Sequence, residues 1–279
     1  MKIISVQKRM QWLTNCHKII ANLIGSEQFH YIDVPMYMNI GDHLIAHGTF
    51  KFFEKSNLNF CRASGLPFYK FRWVNNVNVL VFGGGGNFGD LWPEIHQRRM
   101  QLIDEALELG KRVIVLPQSL WYSNIENLKL DLSILQGREN FYLFVRDKQS
   151  YQIGKNIHEN VYLVPDMAHH IYNELEQTSS DVKPNKDVLY FLRNDKEGVI
   201  SRNEFEKKGR IWDWDDVLKI DNCGRDFQRV LKIYNLFYRK LNISNFDRKL
   251  FLWRKSSWKI VMEAAKLFAS HKLIVTDRL

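Results

Sequence analysis

Five short apolar runs alternate with helical patterns through the first two-thirds of the chain: FHYIDVP (29–35), VNVLVFGG (77–84), RVIVLPQS (112–119), FYLFVRD (141–147) and VYLVPD (161–166). Within each run apolar residues are consecutive rather than alternating, so a strand there has to be covered on both faces. The stretches between them read as helices: GDHLIAHGTFKFFEK (41–55), the segment from Pro93 to Gly110, residues 125–136, and MAHHIYNEL after the last run. Pro93 at a first turn and Gly110 just past an end are the expected punctuation. Strands joined by crossover helices form a parallel sheet with helices on both sides. The fold class is therefore α/β.

Residues 174–186, ELEQTSSDVKPNK, are polar and carry Ser, Pro and Asn, which makes them the expected linker. A second set of elements follows: DVLYFLRND (187–195), IWDWDDVL (211–218), helices near 227–241 and 257–269, and the strand HKLIVTDRL (271–279). The expected domains are 1–175 and 187–279, and 279 residues with 45 % apolar content suffice for two cores. The second set stops on a strand with no crossover helix to cover it, so that domain is expected to be incomplete at its carboxyl end.

Forty Lys and Arg against thirty-one Asp and Glu leave a net charge of +9, which favours phosphorylated metabolites, acidic lipid surfaces or nucleic acid. No basic run or recognisable module supports nucleic acid, which ranks last. The three cysteines, Cys16, Cys61 and Cys223, are scattered and odd in number, unlike a disulfide framework or a zinc cluster. No metal is expected, and the expected compartment is the cytoplasm. Charges interrupt the first 25 residues, so they lack the continuous core of a signal peptide or a spanning helix. Val6, Met10, Leu13, Ile20, Leu23 and Ile24 recur at helical spacing, opposite Lys8, Arg9 and Lys18. Such a helix suits packing on its own domain and also permits peripheral contact with the inner face of a membrane.

The stretch VFGGGGNFGDLW (81–92) places five glycines in seven positions. Gly84, Gly86 and Gly89 satisfy G-x-G-x-x-G, but the next strand ends in LPQS without the acid that holds a ribose, and no Gly-Lys-Ser/Thr closes the loop. Both nucleotide readings fail locally. What remains is a glycine turn at the carboxyl end of a parallel strand, where Gly84, Gly85 and Gly86 can bring bare amides close to a ligand. The tight-turn reading, in which the glycines only supply positive φ, stands beside it. Asn39, Gly41 and Asp42 repeat the Asn-x-Gly-Asp spelling of Asn87, Gly89 and Asp90 at another strand-to-helix junction. Each Asp can cap its helix, bind sugar hydroxyls or move protons.

Taken together and in order, YMNIGDHLIAHGTFKFF, VFGGGGNFGDLWP, VIVLPQSLWY, FVRDKQSY, VPDMAHH, YFLRNDKE and VTDRL resemble the polysaccharide pyruvyl transferase family, in particular its exopolysaccharide-biosynthesis members. The resemblance implies two Rossmann-like domains in a GT-B-like arrangement with a cleft between them. It also implies phosphoenolpyruvate as donor substrate, no further cofactor, and a sugar of an exopolysaccharide or capsule repeat unit, free or lipid-linked, as acceptor. The product is a pyruvate ketal. Arg193 and Arg278 match the family's donor-binding arginines. Asn39, Gly41, Gly84, Gly85, Gly86 and Asn87 join them as substrate-binding residues, and Asp42, Asp90 and His169 are the candidates for proton transfer or acceptor binding. His169 reads equally well as a satisfied helix histidine. The family continues VTDRL with His-Gly, which this chain does not reach, so donor binding by a truncated chain is an open expectation. The competing readings are a GT-B nucleotide-sugar glycosyltransferase and an inactive sugar-binding remnant.

Overall fold

The computed structural model describes residues 5–194, 198 and 200–278. They fall into two compact units. The first holds the described residues up to Met36, Leu44–Ile171 and Asn245–Leu250, and the second holds Tyr37–His43, Tyr172–Ser244 and the residues from Phe251 onward.

In chain order the first unit contains α1 (Val6–Asn15), α2 (Lys18–Ile24), β1 (Phe29–Ile32), most of α3 (Ile40–Lys55), β2 (Phe60–Ser64), β3 (Val79–Phe82), β4 (Gly85–Gly89), α4 (Pro93–Glu108), β5 (Arg112–Trp121), α5 (Ile125–Leu135), β6 (Phe141–Val145), α6 (Lys148–Ile157) and β7 (Val161–Leu163). Its strands pair in the order β2-β1-β3-β5-β6-β7, all parallel, with β4 pairing β5 beside that path. The largely apolar runs behave as their composition demands: β1 and β3 are buried at every position, His30 included. Each Val, Leu, Ile or Phe side chain so removed from water contributes roughly 1.5–3 kcal/mol. Rings from α3 finish one face, with Phe29 and Phe53 5.0 Å apart, Tyr31 and Phe50 5.3 Å apart, and Phe50 and Phe60 5.6 Å apart.

Three local expectations are corrected here. The N-terminal pattern forms two helices instead of one, and α1 packs on a 3-10 turn at Met167–Ile171. The glycine stretch is not an open turn: Gly85–Gly89 form strand β4, in register with Gln118, Leu120 and Trp121 of β5. Strand β2 was not expected at all, because FCRAS carries a cysteine and an arginine. Arg62 is nevertheless buried there, its guanidinium 3.9 Å from the centre of the Trp73 ring, which replaces part of its hydration.

The second unit contains α7 (Tyr172–Ser179), β8 (Lys186–Phe191), α8 (Asn203–Glu206), β9 (Ile211–Trp212), α9 (Trp214–Val217), α10 (Cys223–Tyr234), α11 (Phe251–Ala269) and β10 (His271–Thr276). Its sheet is also parallel, in the order β10-β8-β9. The first half of the expected linker is thus helix α7, which packs on α11 through Thr178 and Met262. Helix α10 runs on into one π-helical turn, Asn235–Lys240, and α11 begins six residues before the expected Ser257. The expected strand 187–195 ends at Phe191, and residues 195–197 lie outside the described ones. Among the described residues no helix is long and apolar enough to cross a membrane.

Candidate functional site

Because the strands of the first unit are parallel, the carboxyl ends of β1, β3, β5 and β6 share one edge of the sheet. The strand order reverses between β1 and β3, the point at which open α/β sheets leave a crevice for ligands. The glycine stretch leaves β3 there. Most of its glycines answer to their own backbone. A Cβ on Gly83 would sit 2.8 Å from the Asp33 carbonyl oxygen, one on Gly84 2.6 Å from that of Pro117, and one on Gly89 1.9 Å from that of Trp121. Gly85 and Gly89 adopt φ of 143° and 109°, which other residues avoid. Gly86 differs: the nearest atom to its absent side chain is Nη2 of Arg146, at 3.4 Å.

Arg146 follows β6 directly, and its fork is held from two sides. Nε donates to Ser119 Oγ (2.9 Å) and Nη1 to Asp166 Oδ2 (2.7 Å). Ser119 in turn donates to Asp147 (2.9 Å), the N-cap of α6, whose carboxylate also accepts from the Ser150 amide at 2.7 Å. Burial would raise the Asp147 carboxyl; the Ser150 and Ser119 hydrogen bonds and the Arg146 charge outweigh it and hold the group below the ordinary carboxylate range. Nη2 of Arg146 has no acceptor among the described residues, and it faces Gly86. A guanidinium fixed at two nitrogens and open at the third is pre-set to receive a carboxylate or phosphate oxygen. Asp166 also caps the turn that carries His169, through the Ala168 amide (2.8 Å). The half-buried His169 ring makes no hydrogen bond with described residues.

Arg99 of α4 anchors the other end of the glycine stretch. It is 0 % exposed. Nε donates to Asp33 Oδ2 (3.0 Å), Nη1 to the Asn87 carbonyl (2.8 Å), and Nη2 to both Asp33 and the Asn87 side-chain oxygen. Asn87, expected to bind substrate, therefore has its Oδ1 turned to Arg99, which leaves its NH2 as the group it can offer a ligand.

Asp90 does not cap its own helix. Its carboxylate accepts from the Ser123 and Asn124 amides at 2.8–2.9 Å and from the Asn127 side chain at 3.2 Å, tying β4 to the start of α5. Burial pushes its carboxyl up, and these donors more than reverse that, so Asp90 stays ionised and is a poor proton donor. It lines a cavity of about 280 Å³ with His96, Asp131 and apolar Met100, Leu130 and Ile134. In its wall the Gly89 amide donates to His96 Nδ1 (3.0 Å), so Nε2 carries the proton and donates to Asp131 Oδ2 (2.6 Å). The Tyr122 hydroxyl shares that oxygen.

The second unit gathers a different subset. Arg278, past the end of β10, donates through Nε and Nη2 to Asp213, the N-cap of α9, and its guanidinium carbon lies 5.2 Å from the Trp214 ring. Gly41 approaches the same Trp214 ring, and its amide donates to Asn39 Oδ1 at 3.0 Å, which makes Asn39 the capping side chain of α3 in place of Asp42. Asp42 sits in the first turn, half-buried. The Arg193 amide donates to Asp277 Oδ1 (2.9 Å), tying the end of β8 to that of β10.

The sequence model of the polysaccharide pyruvyl transferases matches residues 39–279 of the chain. The chain belongs to the polysaccharide pyruvyl transferase family. It is an enzyme of that transferase family. EpsO of Bacillus subtilis (strain 168), which bears a pyruvyl transferase name, is 28 % identical over 252 residues, 89 % of this chain and 75 % of EpsO. Pyruvyl transferase 1 of Schizosaccharomyces pombe is 33 % identical over 123 residues, 43 % of this chain and 30 % of that protein. A crystal structure of an uncharacterized Klebsiella pneumoniae protein shares the fold with a TM-score of 0.53 and 18 % identity, covering 100 % of this chain and 84 % of that one.

Sequence reasoning missed Arg146, although FVRDKQSY was among the segments that carried the resemblance. An arginine at a strand end is a usable signal only once the strand order puts that end beside the glycines. The buried histidines were also undervalued. His17 Nε2 donates to the Pro165 carbonyl (2.7 Å), so its Nδ1 accepts from His170 Nε2 (2.8 Å) and both rings are neutral. Burial lowers His17, and lowers His170 to about 3, His30 to about 3 and His43 to about 4. Folded values below the unfolded 6.5 mean that the unfolded chain binds more protons, so this stability is complete above pH 6.5 and is lost as pH falls. We expect denaturant midpoints to fall steadily from pH 7 to pH 5, each such histidine adding a slope approaching ~1.4 kcal/mol per pH unit. A flat profile over that range would contradict the buried neutral rings.

Proposed function

We propose that this enzyme transfers the pyruvyl group of phosphoenolpyruvate to a sugar of an exopolysaccharide or capsule repeat unit, including a lipid-linked one, and closes a pyruvate ketal. The observation that carries the reading is the Arg146 fork, fixed by Ser119 and Asp166 and open at Nη2 beside Gly86. It supplies what a donor with a carboxylate and a phosphate needs, in a chain that belongs to this family. Arg193 and Arg278 stay in the proposal as donor-binding arginines, and Arg146 joins them. Two α/β units are what a GT-B-like frame requires, and that frame is part of the proposal.

In the reaction an acid protonates the methylene carbon of the donor, which leaves C2 electrophilic. An acceptor hydroxyl oxygen bonds to C2 and gives its proton to a base, the C2–O bond to phosphate breaks, and a second hydroxyl closes the ketal as its proton leaves with the phosphate. Among the acidic and basic candidates His169 and Asp42 suit proton transfer. Asp90, saturated with donors, suits the fixing of the wall. Isothermal titration should give saturable phosphoenolpyruvate binding that Arg193→Ala abolishes and that a nucleotide sugar does not displace. No binding, or displacement by the nucleotide sugar, would favour the glycosyltransferase reading instead.

A further inference from the structure

The connection that follows α10 combines exposed aliphatic side chains with positive charge. Residues 236–244, all of the second unit, carry Arg239 and Lys240 and no acid. There, large apolar side chains are exposed: Leu236 by 43 %, Leu241 by 54 % and Ile243 by 42 %. The π-helical turn sets their order. The Leu241 amide donates to the Leu236 carbonyl and the Ile243 amide to the Phe237 carbonyl, so the three exposed residues lie within about one turn of backbone, a short apolar ledge. The exposed Arg239 and Lys240 lie between them in sequence. Tyr234 and Tyr238 on the same helical stretch are buried, their rings stacked 6.0 Å apart.

Soluble surfaces rarely gather apolar side chains in this way without a partner. We propose that this ledge docks the protein on an anionic lipid surface, the leucine and isoleucine side chains entering the headgroup boundary while the basic residues stay with lipid phosphates. The charge selects this occupant. A second copy in a two-fold interface would set like charges against one another, and a nucleic acid would leave the aliphatic side chains without a role. The inference stands apart from the pyruvyl-transfer proposal, since it concerns binding alone.

Sedimentation of the full chain with phosphatidylcholine vesicles, with and without phosphatidylglycerol, tests it. The protein is expected to sediment with the anionic vesicles and to be released by high salt. The double variant Leu241→Asp/Ile243→Asp should lower the bound fraction at least tenfold, and Arg239→Glu/Lys240→Glu by roughly fivefold per basic residue. All four sites are exposed, so both variants should keep the parent's circular dichroism. Absence of sedimentation with anionic vesicles, equal sedimentation by folded variants, or self-association of the parent that the variants abolish would each overturn the proposal.

Discussion

Replacing Arg99 with methionine should destabilise the first unit by about 3–5 kcal/mol, because it leaves the buried Asp33 carboxylate without its counter-charge and the Asn87 oxygens without their donors. Arg99 is wholly inaccessible and the Asp33 side chain is 7 % exposed, so water cannot take over. The effect should appear as a lower denaturant midpoint at unchanged slope. Adding Asp33→Asn removes the orphaned charge while tolerating the φ of 70° at that position, and should recover a large part of the loss. A loss below about 1 kcal/mol for the single variant would mean that the glycine stretch does not depend on this ion pair.

Arg146→Ala should act on the donor and spare the fold. Its side chain is 27 % exposed and sits at the rim of the sheet, so truncation opens no core cavity. If the open Nη2 receives the donor, kcat/KM for phosphoenolpyruvate should fall on the order of 100- to 1000-fold, which corresponds to about 3–4 kcal/mol of lost charge-assisted hydrogen bonding. Arg146→Lys keeps the charge and loses the fork, and should lie between the two. Steady-state kinetics with melting curves for each variant separate this from unfolding. A folded Ala variant with unchanged donor kinetics would remove Arg146 from the site.

The two residues show where sequence patterns suffice and where they stop. Strands β1, β3, β5 and β6 are buried on both faces, so their composition nearly dictates them. Strand β2 hides behind Arg62, which is buried with Trp73 over its guanidinium. The glycine stretch reads as a loop because glycine has no strand preference. Its neighbours' carbonyls, which no local pattern contains, impose both the glycines and the strand. Asp90 was legible as a cap, but the amides it caps lie more than thirty residues further on, at Ser123 and Asn124. Arg99 and Arg146 depend in the same way on contacts made across the sheet, and single-sequence periodicity carries no such information.

The most direct test of pyruvyl transfer uses phosphoenolpyruvate labelled with carbon-13 at C2, a saccharide acceptor and the full chain, followed together by phosphate release and carbon-13 NMR. One phosphate should be released for each labelled carbon that becomes a ketal carbon bonded to two sugar oxygens. Unconsumed donor, or phosphate released while the label appears only as free pyruvate, would contradict it.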